Sequence, residues 1–152
     1  MPVSRAMRRL FHLLHIEEEQ RRSSLESALG ELNRLERALA AAAERNRQGR
    51  ELISSSAQTG DLVDRLAGIE EARAAARMEA ILAPRLAQAR DSADARRAEF
   101  LDKRIERRQA GTLIRRAEDQ RASEAIRRTQ QSLDDWYLSR RLRDGAAQEE
   151  ES

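Results

Sequence analysis

The chain has 152 residues, of which 37% are charged and 3% aromatic, with no cysteine and a formal net charge of +2. So few aromatic and β-branched residues argue against a compact core, and no apolar run approaches the roughly 18 residues needed to cross a bilayer. Ala, Arg, Glu, Leu and Gln dominate instead, all strong helix formers, so the composition predicts an all-α protein that buries a narrow seam.

The first sixteen residues carry Arg5, Arg8 and Arg9 ahead of Leu10, Phe11, His12, Leu13 and Leu14. This apolar stretch is short, split by histidines, and runs straight into Glu17-Glu18-Glu19. It reads as the opening turns of a long helix and not as a cleaved leader. That first helix is expected over residues 3–57. Its seam runs through Met7, Leu10 and Leu14, then Leu25, Ala28, Leu32, Leu35, Leu39 and Ala42, at steps of three and four. The eleven-residue interval from Leu14 to Leu25 predicts a local straightening of the supercoil.

Ser54-Ser55-Ser56 through Thr59-Gly60-Asp61 is the clearest breaker. A turn is expected at 58–60, with Gly60 supplying the left-handed backbone and Asp61 capping the next helix. Leu62, Leu66 and Ile69 then open a short helix over 61–82. Pro84 lacks a backbone donor and disfavours helix at Ala83, so a third helix is expected over 84–143. Its apolar positions are Leu86, Ala89, Ala93, Phe100, Leu101, Ile105, Leu113 and Ala117, then more sparsely Ile126, Leu133 and Tyr137. The outer two helices match in length. The expected fold is therefore a long two-stranded antiparallel coiled-coil hairpin with a short helix at its turn end. It forms one domain over residues 1–143, and 144–152 is expected to be a disordered acidic tail. Pairing equal arms also places Gly30 near Gly111, which would permit a close helix approach.

Chemistry for catalysis is sparse. The six glycines form no phosphate loop, and no nucleophile sits beside a base, so no enzyme activity and no cofactor are expected. His12 and His15 lie one helical turn apart, but two histidines without a third ligand do not define a metal site. Residues 85–143 hold sixteen bases against ten acids. The runs Lys103-Arg104, Arg107-Arg108 and Arg115-Arg116 are interrupted by acids and lack a stacking platform, which makes a nucleic-acid partner the weaker reading. Trp136 and Tyr137, the only Trp and Tyr, precede Arg140, Arg141 and Arg143. These residue types dominate binding energy at protein interfaces. Either Tyr137 and Leu133 seal the open end of the hairpin against Met7, Leu10 and Leu14, or the aromatics face a partner, or one aromatic faces the seam and its neighbour faces outward.

The Arg-rich start, the late segment Glu118-Asp119-Gln120-Arg121 and the run Arg127-Arg128-Thr129-Gln130-Gln131-Ser132-Leu133-Asp134-Asp135-Trp136 together resemble the FliJ/YscO family, the stalk proteins of type III secretion systems. Asp134-Asp135 fits the acidic pair that often ends the family's late helix. The resemblance implies a cytoplasmic coiled coil, peripherally associated with the inner-membrane secretion apparatus. Its paired termini would enter a hexameric secretion ATPase, and its turn end would reach an export-gate membrane protein; secretion chaperones are further possible partners. Mapped onto this chain, the ATPase end comprises Arg5, Arg8, Arg9, Trp136, Tyr137, Arg140, Arg141 and Arg143. The gate end comprises Leu62, Leu66 and Ile69. The injectisome branch is favoured over the flagellar one. Two other classes stay open: a self-associating coiled-coil adapter or scaffold, and a basic helical nucleic-acid-binding protein.

Overall fold

A computed structural model describes residues 5–151 and contains two α-helices, α1 (Arg5–Thr59) and α2 (Leu62–Glu150), packed against each other as a hairpin. The expected start of the first helix at residue 3 lies outside the described residues. The fold is all-α, and two compact units can be distinguished, one comprising residues 16–104 and the other 1–15 with 105–152.

The connection is only Gly60 and Asp61. Gly60 adopts φ 73°, and its N–H donates to the Ser56 carbonyl at 2.8 Å, ending α1 in a left-handed cap. Asp61 starts α2 as expected, its Oδ1 accepting from the backbone N–H of Val63 at 3.0 Å and of Asp64 at 3.3 Å. The serine-rich stretch does not break α1, because its hydroxyls bond to their own helix. Ser56 Oγ donates to the Ile53 carbonyl and Thr59 Oγ1 to the Ser55 carbonyl.

The expected short helix over 61–82 is not a separate element, because α2 runs through Pro84 without a break. Proline inside a helix costs about 3 kcal/mol. Pro84 sits on the exposed side, as does Ala80, whose carbonyl loses its helical donor and can turn to water. On the opposite face Leu82 and Leu86 bury against Leu35, with Leu32, Leu39 and Ala89 packed around them. Each such leucine contributes about 1.5–3 kcal/mol, enough together to offset the proline. Nor do residues 144–150 form a disordered tail. They extend α2, as the helix-forming run Ala146 to Glu150 allows.

Burial keeps one heptad phase along each helix and lapses only at Arg21 and Arg96, which are exposed. On α1 it runs Met7, Phe11, Leu14, Glu18, Leu25, Ala28, Leu32, Leu35, Leu39, Ala42, Asn46, Gly49, Ile53 and Ser56. The eleven-residue interval is therefore no discontinuity. Glu18, only 2% exposed, occupies the seam position between Leu14 and Leu25, and Leu10 lies off the seam. No buried polar side-chain atom among the described residues lacks a hydrogen bond, so Glu18 is satisfied there. On α2 the seam runs Gly68, Ala72, Ala75, Glu79, Leu82, Leu86, Ala89, Ala93, Phe100, Lys103, Arg107, Ala110, Ile114 and Ala117. Leu101 and Leu113, expected on it, are exposed one position away, and Ile105 two positions away.

Cross-helix partners report the register. Arg45 Nε donates to Glu71 at 2.6 Å, Arg90 lies 3.8 Å from Glu36, and Lys103 lies 3.0 Å from Glu17. Arg22 covers the Phe100 ring, its guanidinium carbon 5.6 Å from the centroid. The close approach falls at a different glycine pair from the expected one. A Cβ on Gly68 would meet the Gly49 carbonyl oxygen at 2.7 Å, and one on Gly49 would meet the Ala72 nitrogen at 2.8 Å. Gly111 instead faces Phe11, and a Cβ on Gly30 would meet open space.

This packing sets the response to small substitutions. Gly30→Ala should stabilise the hairpin by about 0.5–1 kcal/mol, the helix propensity gained, whereas Gly49→Ala and Gly68→Ala should destabilise it despite the same gain. Thermal melts of the three variants check this, and a higher melting temperature for Gly68→Ala would contradict the backbone contact. Acid should act through Arg45 and Glu71. The Arg45 hydrogen bond holds the Glu71 carboxyl below its ordinary value of 4.5. Its contribution is therefore complete above that value and lost as pH falls through the lower, folded value. Glu71→Gln should lower the melting temperature near neutrality and reduce the drop between neutral and strongly acid pH. An unchanged drop would remove this pair as a contributor.

Candidate partner-binding surface

Within the unit formed by 1–15 and 105–152, the first turns of α1 pack against α2 between residues 105 and 118. Arg8 lies 3.7 Å from Glu118, and Phe11 covers Gly111 at 3.3 Å from where its Cβ would be. Beyond Ala117 every described residue of α2 is exposed. The cause is in the pattern. Extending the heptad past Ala117 gives Arg121, Glu124, Arg128, Gln131 and Asp135, and burying these against a second helix would strand charges. Residues 121–150 thus extend α2 by about 45 Å past the seam that it shares with the described residues of α1.

The extension carries the aromatic and arginine residues. Trp136 and Tyr137 contact each other edge to face, centroids 5.1 Å apart and planes at 74°. Arg140, one turn on, lays its guanidinium over the Trp136 ring at 5.3 Å from the centroid. Trp136, Arg140, Arg143 and Asp144 line a shallow depression beside it. Trp136 is 52% exposed and Tyr137 60%, so neither closes the hairpin against Met7, Leu10 and Leu14. The physical reason is register: Arg8, in the first turn of α1, lies beside Glu118, and about eighteen residues of helix place Trp136 about 27 Å beyond that point.

The structure therefore separates the eight residues expected at one end. Arg5, Arg8 and Arg9 lie on the first turns of α1, and Trp136, Tyr137, Arg140, Arg141 and Arg143 lie far along the extension. A different set converges on the start of α1. Arg8, His12, Arg107, Arg108 and Arg115 surround Phe11, Gly111 and Ile114 in an open cleft. The late basic runs are plain in the sequence, but their meeting with Arg8 and His12 is not. The steps of four from Arg107 to Gly111 to Arg115 are the only signal, and it becomes usable once the register is known.

At the turn, Leu62 and Leu66 are 66% and 56% exposed, together with Val63, and Ile69 is half-buried at the edge of the seam. These form an exposed apolar patch on the first two turns of α2. Among the described residues no helix is long and apolar enough to cross a membrane, and no cluster of three or more His, Cys, Asp or Glu side chains is placed to hold a metal ion. No protein-family model, no curated protein and no solved structure matches the chain.

Because Phe11 and Gly111 define the cleft, Gly111→Leu should displace Phe11 and lower the melting temperature, whereas Arg115→Ala should leave it nearly unchanged. Equal melting of Gly111→Leu and the parent chain would mean that the contact contributes nothing.

Proposed function

We propose that this chain is the central stalk of a type III secretion ATPase, a non-enzymatic coupling protein that links the hexameric ATPase to the export gate. The reading rests on the resemblance of residues 118–136 to the FliJ/YscO family. One geometric observation supports it most: α2 continues as a lone helix carrying Trp136, Tyr137, Arg140, Arg141 and Arg143 past the paired arms. A single helix with its side chains is about 10–12 Å across, narrower than a pair, and suits insertion into the pore of a ring. Aromatic rings and guanidinium groups on such a helix engage polar and acidic loops through stacking and paired hydrogen bonds.

In this reading one chain serves one hexamer, residues 121–143 make the principal ATPase contact, and Arg5, Arg8 and Arg9 contribute at the ring's rim. The exposed Leu62, Leu66 and the edge of Ile69 supply an apolar contact for the export-gate protein, and the cytoplasmic face of the inner membrane is the place of action. The injectisome branch remains the favoured one.

The test is capture of the purified secretion ATPase by the full chain. Arg140→Glu/Arg141→Glu should reduce recovery at least about tenfold, the scale of one lost interfacial charge contact. Leu62→Ser/Leu66→Ser should leave ATPase capture intact and lose the gate protein. Equal ATPase recovery by the parent chain and the double arginine variant would refute the assignment of the extension.

A further inference from the structure

The extension of α2 carries an apolar row that nothing in the chain covers. Ile126, Gln130, Leu133 and Tyr137 follow at steps of four, three and four and so share one face. Ile126, Leu133 and Tyr137 are all more than half exposed. This is the spacing of a coiled-coil seam without its second strand. We infer that the second strand is the same segment of another copy of this chain, running antiparallel, so that the free protein dimerises through residues 123–140.

The layout of the row selects this partner. It is symmetric about the midpoint between Gln131 and Ser132. Antiparallel pairing there places Ile126 opposite Tyr137 and Gln130 opposite Leu133, twice over, and Ser123 opposite Arg140 at each end. The spacing of the row is the same in both directions, so its own antiparallel copy meets it in register, with Ile126 against Tyr137 at both ends and Leu133 against the aliphatic stem of Gln130 between them. It also lies clear of the hairpin. The seam that α1 covers ends at Ala117, and the new row is displaced from that phase by two residues, about 200° around the helix. A second copy can therefore approach from the side opposite α1.

The flanking charges select the direction. Arg127 and Asp134 each come one residue after a seam position, on the same edge of the row. Antiparallel strands bring like edges together, so Arg127 of each copy comes beside Asp134 of the other, two opposite-sign pairs. Parallel strands bring that edge against the other one, which holds Ala122, Thr129 and Trp136 and offers neither charge a partner. The seam stops where it should, since one heptad further Asp119 would meet Asp144. Trp136 sits at the flank, where the second strand covers part of its ring.

Dimerisation of the free chain does not depend on the stalk reading. It concerns the protein without an ATPase, and its test contains none. If both hold, dimerisation and ring entry use one helix and exclude each other.

The full chain serves for the test. Its sedimentation mass should rise with concentration from 17.3 kDa toward twice that value, and its single tryptophan should shift to shorter emission wavelength in parallel. Tyr137→Glu should weaken the association at least about tenfold. This position is solvated in the monomer, so the hairpin's helical signal and melting temperature should be retained. Asp134→Arg should weaken it too, and adding Arg127→Asp should restore it. The chain has no cysteine, which permits a direct test of direction. An oxidised mixture of Ile126→Cys and Tyr137→Cys chains should form the mixed disulfide, whereas neither variant alone should link to itself. Self-linking of Ile126→Cys would overturn the antiparallel arrangement. A mass that stays at the monomer value up to near-millimolar concentration, without mixed linking, would overturn the dimer altogether.

Discussion

Two backbones touch at Gly49 and Gly68, and the rest of the hairpin is arranged around that contact. No side chain fits between them, since even a methyl group on Gly68 would meet a carbonyl oxygen inside van der Waals distance. One heptad further from the turn on each helix the facing pair is Ala42 with Ala75, both almost wholly buried. Leucines take over only at Leu35, Leu82 and Leu86. Small residues near the turn thus let the helices start close together, and larger ones fill the seam as it proceeds. Register depends on this, because a slip of one residue would place a Cβ in the glycine contact. The polar cross-helix pairs, Arg45 with Glu71 and Lys103 with Glu17, agree with that register; the first is about half exposed on both sides and weak by itself.

The seam also explains where pairing stops. Between Phe100 and Ala117 two consecutive seam positions are already the basic residues Lys103 and Arg107, half-buried, with long aliphatic stems suited to cover the seam. Past Ala117 both seam positions of this phase are polar, and the face turned toward α1 offers no apolar area to repay ordering it there. The extension is therefore written into the heptad phase.

Much of this was legible in the sequence. The helical class, the hairpin, the Gly60 turn and the Asp61 cap come from composition and local chemistry that tertiary packing does not alter. Pro84 misled because a boundary signal of about 3 kcal/mol competes with leucines buried on the opposite face, and only their partner Leu35 decides the outcome. Treating Pro84 as a boundary gave two arms of equal length, and that equality carried the wrong register with it. It predicted Gly30 beside Gly111 and placed the aromatics against Met7 and Leu14. Glu18 misled in another way. It is a carboxylate at a seam position, and with Arg21 it spaces the apolar members Leu14 and Leu25 eleven residues apart within one heptad phase. Apolar positions report a seam only when its polar members are included.

The unequal lengths of the helices bear on how the chain acquires its structure. Gly49 and Gly68 are close in sequence, whereas Arg8 and Glu118, which meet at the other end of the pairing, are separated by most of the chain. Closing the short loop costs less entropy, so pairing should begin at the turn and proceed outward one heptad at a time, as a zipper closes. During synthesis α1 waits, fully exposed, until the start of α2 emerges, and its last turns are matched first. Residues 121–150 emerge after their hairpin has found every partner it will have. This stretch of α2 therefore leaves the ribosome with its apolar row still exposed.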